Sequence, residues 1–392
     1  MTRTPPVKVT VTVGAPRPVV PGPGLPDGVR VDRSNNNLDV IDHDGRRYLS
    51  WRTAPIHFAS TDAALHVVVS DDGGQTWAHD LTIEQGRDVR EPRFVSWQGR
   101  LLLYWFTAGT RATAFEPDVI WVRERLGDAT WSDPIAISPP DCVVWRVRPV
   151  AGRLVMTLYR GAGSLFTTAP VPLTVEAWVS DDGITWGPLD PDRPVVHEGG
   201  SETDFLELPD GRLLAVVRKE GPEAGWGADV CVSAPGPAPA ALARWRVRPD
   251  PRKFDSPYLF LAGSQPLLIT RRQVAFGGRF DLGLRALSLA TRTKIDQAAY
   301  WLTPKRTAVY AIDPDRLTAT WCTDLPSAGD TAFAGSIPLE RRDGDSDGTT
   351  RHLVFNYSSP VDRPWYPWVV GQLRPTHIYA VEVAVHAPGG HL

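Results

Sequence analysis

The sequence predicts an all-β fold, a six-bladed β-propeller, on three observations. A tight-turn motif, Asp-x-Gly-x-Thr-Trp, occurs twice, at Asp72 to Trp77 and at Asp181 to Trp186. Tryptophans recur at near-constant spacing, with Trp77, Trp131, Trp186 and Trp245 separated by 54, 55 and 59 positions. A second series, out of phase with the first, repeats a polar cluster, a short apolar strand, a Gly-containing turn and a strand with a polar end. A repeat of roughly 40 to 55 residues built from short strands is the signature of propeller blades.

The second series has six members. They run from Asn35 to Arg52, Arg90 to Thr107, Trp145 to Arg160, Glu202 to Arg218, Asp255 to Arg271 and Asp330 to Tyr357. Within the turn motif, Asp bonds backbone donors, Gly permits positive φ, and Trp packs between blades. Only the first copy has a Ser, Ser70, in register before it; a degenerate third copy at Gly127 to Trp131 keeps the Thr-Trp. The alternation of Val7 to Val13 suits a strand that pairs beside His377 to Val385 and closes the ring. Residues 14–30, rich in Pro and Gly, read as the linker to the first blade. Trp321 follows Trp245 after 76 positions, so one blade carries an insertion, about 274–306. It is expected as a lid, an oligomer contact or an inert excursion. The whole of 1–392 reads as one propeller domain.

Composition narrows the function classes. A net charge of -3 and the absence of a long Lys or Arg run argue against nucleic-acid and membrane-surface binding. Cys142, Cys231 and Cys322 are odd in number and widely spaced, which suits neither a disulfide framework nor a zinc site. No apolar run reaches signal-peptide or membrane-span length, so the expectation is a cytoplasmic protein. No cofactor is indicated; a divalent cation in the central channel and the oligomeric state are left open.

In a propeller the inner strand of each blade starts at the funnel rim and the second strand returns to it. That geometry nominates Asn36, Asp39, Arg52, His57, Arg90, Glu91, Arg146, Tyr159, Glu202, Asp204, Arg218, Lys219, Asp255, Arg271, Asp330 and Tyr357 as pocket residues. The turn motifs fall at the opposite end.

The turn motif resembles the Asp-box of sialidases and related propellers. The segment from Ser201 to Arg218 is similar to the fourth blade of bacterial sialidases. The resemblance implies that Glu202 matches the Glu that polarises the nucleophile and Arg218 one of three Arg residues that grip a carboxylate. Three departures follow. Arg33 to Asp39 lacks the usual first-blade Arg motif, with Arg52 as a partial substitute. Phe333 stands where the nucleophilic Tyr is expected, in Gly329 to Gly335. Arg271, Arg272 and Arg279 all qualify for the remaining Arg.

The expected function is therefore a glycoside hydrolase acting on a small or terminal acidic saccharide through a carboxylate pair drawn from Glu91, Glu202, Asp204 and Asp255. Arg52, Arg90, Arg146, Arg218, Arg271 and Asp330 are the expected substrate-binding residues. Two alternatives stand beside it. One is a lyase that eliminates at a terminal uronic acid with His57 or Tyr357 as base. The other is a non-hydrolytic biosynthetic enzyme or binding propeller.

Overall fold

The computed structural model describes residues 9–164, 172–220, 226–234, 243–346, 348–362 and 366–387. Six antiparallel sheets follow one another along the chain. Their inner and second strands are Ser34–His43 with Arg46–Ala54, Val89–Trp97 with Arg100–Thr107, and Cys142–Val150 with Arg153–Arg160. Then come Gly200–Glu207 with Leu213–Lys219, Asp255–Ala262 with Gln265–Gln273, and Thr331–Leu339 with Thr349–Ser358. These are the inner strands of blades one to six, and each inner strand packs on the next around the ring, the sixth against the first.

Closure is made by the N-terminus. Thr10–Val13 pairs with His377–His386, the third strand of blade six, so no long edge is left open there. Val7 and Lys8 of the expected closing strand lie outside the described residues. The stretch expected as a linker is not wholly irregular: Arg17–Val20 forms a second strand on the same partner, with Val19 and Val20 buried. The apolar core lies between the blades, where Trp51, Trp105 and Trp145 are fully enclosed.

The two turn motifs join third to fourth strands, Ala64–Ser70 to Ala78–Ile83 and Thr174–Ser180 to Gly187–Pro188. They lie at the end away from the starts of the inner strands. In the first, Asp72 accepts from the backbone of Gln75 and Thr76, as expected. The second corrects the reading. Asp182, not Asp181, accepts from Ile184 and Thr185 at 2.8 and 2.6 Å, and Ser180 takes the place of Ser70. The loop is one residue shorter, so counting back from Trp186 misplaced the accepting Asp. Asp181 points to solvent and pairs with Arg153 at 2.5 Å.

Each inner strand opens with a register shift against its neighbour. A bulge leaves one residue unpaired and re-aims its side chain. At four of these bulges a residue with a side chain adopts left-handed φ: Asn37 at 46°, Glu91 at 55°, Ser256 at 51° and Phe333 at 45°. Each such residue costs roughly 1–2 kcal/mol, and all four face the same cavity.

Candidate functional site

That cavity, about 750 Å³, occupies the funnel where the inner strands begin. Blades one, two, four, five and six contribute the bulge or rim residues Asn37, Glu91, Glu202, Ser256 and Phe333. The ends of second strands and the loops beyond them add His57, Arg218, Glu220 and Arg271. The insertion closes one side with Phe280, Gln297, Tyr300 and Trp301, the last three on the helix Leu289–Leu302. A short helix, Trp368–Gln372, adds Trp368.

Glu202 and Arg218, sixteen positions apart, meet at 2.7 Å, and Ser256 N–H donates to the other oxygen of Glu202 at 2.6 Å. Burial pushes the Glu202 carboxyl up while Arg218 opposes it. Arg218 also reaches Glu220 at 2.8 Å and Asp255 at 3.6 Å. Lys253 joins Glu220 at 3.0 Å and lies against the ring faces of Trp226, Phe280 and Tyr300. Tyr300 donates its hydroxyl to Asp255, tying the insertion to the inner strand of blade five.

Glu91 has a different environment. It is buried, its Oε2 has no hydrogen-bond partner among the described residues, and burial pushes its carboxyl up to about 8 against the pull of Arg93. The acid is therefore neutral at pH 7. Glu202 adds to that shift by like-charge repulsion, so the two carboxyl groups feel each other across the cavity.

On the blade-six side, His57 Nδ1 lies 2.7 Å from Asp330 Oδ2. Burial alone would raise Asp330, but His57 and Arg271 outweigh it and hold the carboxyl at about 2. Trp368 and Tyr357 donate to its other oxygen at 2.8 and 3.1 Å. Arg271 bonds Tyr357 at 3.0 Å and stacks on Trp368, 4.8 Å from the ring centroid.

Of the nominated residues, His57, Arg90, Glu91, Tyr159, Glu202, Arg218, Asp255 and Arg271 line the cavity. The others lie elsewhere. Asp330 and Tyr357 are completely buried behind Arg271. Arg52 is enclosed and pairs with Asp88 at 2.7 Å. Asn36 sits behind His57, and Lys219 pairs with Asp229 on the far side of its strand. Asp39, Arg146 and Asp204 lie deeper, in the central channel. There Asp39 and Asp204 accept the Phe94 and Leu259 N–H groups of the following blades at 2.8 and 2.7 Å. Arg146 pairs with both, at 3.3 Å each. These side chains lock one blade to the next. Among the described residues no group of three or more His, Cys, Asp or Glu is arranged to hold a metal ion. Arg272 pairs with Asp324 and Arg279 lies outside the cavity, which leaves Arg271 as the rim arginine of blade five.

Sequence reasoning missed Asp88, Glu220 and Lys253, although a signal existed. Each lies two positions from a nominated residue (Arg90, Arg218 and Asp255), and alternate residues of an extended chain share a face. It also missed Trp226, Tyr300, Trp301 and Trp368, which come from irregular or helical segments with no period to follow.

No protein-family model and no curated protein matches the chain by sequence. Solved structures do. The sialidase of Trypanosoma rangeli in complex with the inhibitor DANA is similar at a TM-score of 0.56, with 15% identity over 91% of this chain and 55% of that one. A mutant of that sialidase displaying trans-sialidase activity gives 0.59, with 13% identity over 97% and 58%. The phage phi92 endosialidase gives 0.57, with 11% identity over 98% and 70%. This chain spans little more than half the length of the Trypanosoma enzymes. At such identities the likeness shows the fold: a six-bladed β-propeller of the sialidase-like kind.

Proposed function

We propose that the chain hydrolyses a glycosidic bond, with Glu91 as general acid and Glu202 as its carboxylate partner. The observation that carries this reading is the contrast between two carboxyl groups facing one cavity. Glu91 is buried without an ion pair among the described residues and holds its proton to about pH 8, while Glu202 has Arg218 at 2.7 Å and a backbone N–H on its other oxygen. Glycoside cleavage needs such a pair, one group to protonate the leaving oxygen and one to act as base or nucleophile. The structural neighbours include sialidases, which supports a saccharide substrate. Phe333, the position at which the sequence resemblance expects the sialidase nucleophile, lines the cavity and carries no hydroxyl.

A second reading is favoured by one observation, the contact between His57 and Asp330. An imidazole held by a buried carboxylate beside Arg271 suits removal of a proton α to a carboxylate, hence elimination at a uronic acid. Product analysis on oligosaccharides and aryl glycosides separates the two. Hydrolysis yields a saturated reducing sugar, and Glu91→Gln should lose most on substrates with poor leaving groups. An unsaturated product absorbing in the ultraviolet, lost in His57→Ala, would replace hydrolysis by elimination.

A further inference from the structure

We propose that the cavity selects an uncharged sugar ring and rests the leaving group on the aromatic wall supplied by the insertion. This narrows the substrate class of the carbohydrate reading above and rests on it.

Among the described residues, every Lys and Arg side chain that lines the cavity is already matched by a carboxylate of the chain itself. Arg218 holds Glu202 and Glu220 at 2.7 and 2.8 Å, Lys253 holds Glu220 at 3.0 Å, and Arg271 holds Asp255 at 3.4 Å. Arg90 and Arg52 share Asp88, and Asp330 lies 3.8 Å from Arg271. Arg90, Arg218, Lys253 and Arg271 thus each contact one or more of Asp88, Glu202, Glu220 and Asp255, and Glu91 carries its proton below about pH 8. A substrate carboxylate would add an unbalanced charge to a partly buried site or displace one of these pairs, and either is unfavourable. Sugar hydroxyls carry no such penalty, because the same carboxylates and N–H groups accept from and donate to them.

The outer wall is of another kind. Phe280, Tyr300 and Trp301 of the insertion face the cavity together with Trp368 and Trp226. Aromatic faces of this sort stack on the apolar faces of pyranose or aryl rings. The polar inner part therefore suits the ring that is cleaved, and the insertion suits what leaves.

Calorimetric titration of the full chain tests the charge preference without requiring turnover. The probes are the methyl α- and β-glycosides of glucose, galactose, mannose and rhamnose, set against glucuronate, galacturonate and N-acetylneuraminate. At least one neutral glycoside should bind, with all three acids at least about tenfold weaker. In Glu220→Gln, which removes the nearest partner of Lys253 and one partner of Arg218, the acids should gain about tenfold relative to the neutral probes. Acids that bind the wild-type chain as tightly as the neutral probes, or no neutral binding at all, would overturn the proposal. A neutral glycoside that binds and is never hydrolysed would leave the substrate class standing and remove the hydrolase reading alone.

Discussion

His57 and Asp330 touch across the seam of the ring: Nδ1 of the imidazole, from the loop after the second strand of blade one, lies 2.7 Å from Oδ2 of the carboxylate that heads blade six. The contact joins the first and last blades at the rim of the cavity and gives Asp330 its low pKa.

Asp330 is held at about 2 in the folded chain, below its ordinary range, so its stabilising contribution is present above about pH 4 and lost as pH falls towards 2. The contribution is about 2 kcal/mol. Asp330→Asn should therefore lower the urea midpoint at pH 6, and the gap from wild type should shrink as pH falls towards 2. A gap independent of pH would show that His57 and Arg271 do not set the charge of Asp330.

Glu91 has the opposite sign. Its folded pKa is raised to about 8, so the wild-type chain loses stability from this group as pH climbs from about 4.5 to 8. Glu91→Gln, neutral throughout, should match the wild type near pH 4.5 and melt higher at pH 8. Turnover should fall about 100-fold or more, the usual loss on removing a general acid. A melting difference that does not change between these pH values would mean that Glu91 ionises normally.

The turn motifs should act on stability alone. Asp182→Ala removes the acceptor for Ile184 and Thr185 and should lower the melting temperature by several degrees, whereas Asp181→Ala removes an exposed pair worth at most about 1 kcal/mol. Neither change should alter kcat on whatever substrate is established. Equal destabilisation by the two variants would undo the assignment of Asp182 as the acceptor of that turn.

Sialosides should be turned over weakly or not at all. Phe333 supplies no hydroxyl, Asn37 of blade one brings no cationic group to the cavity, and Arg52 is enclosed against Asp88. Assay with a sialic-acid aryl glycoside checks this directly, and robust release of the aryl group by the wild-type chain would refute it.

The propeller was legible in the sequence because its determinants are local and repeated. The turn motif needs a few neighbouring residues, the first five hairpins are joined by short Gly-containing turns, and six copies reinforce one period. The pairing of Glu202 with Arg218 was legible for the same reason, since a single hairpin brings both to one rim. Repetition says where a strand ends at the rim, not which way its side chain points there. A bulge shifts that direction by one residue, so Asn37 faces the cavity while Asn36 and Asp39 do not. Two positions along the same strand separate Glu202 in the cavity from Asp204 in the channel, where it bonds Leu259 N–H of the next blade. The contact of His57 with Asp330 and the aromatic wall on Tyr300 and Trp301 required ring closure and the docking of the insertion. Those depend on distant segments meeting in space, a relation that no local pattern of residues encodes.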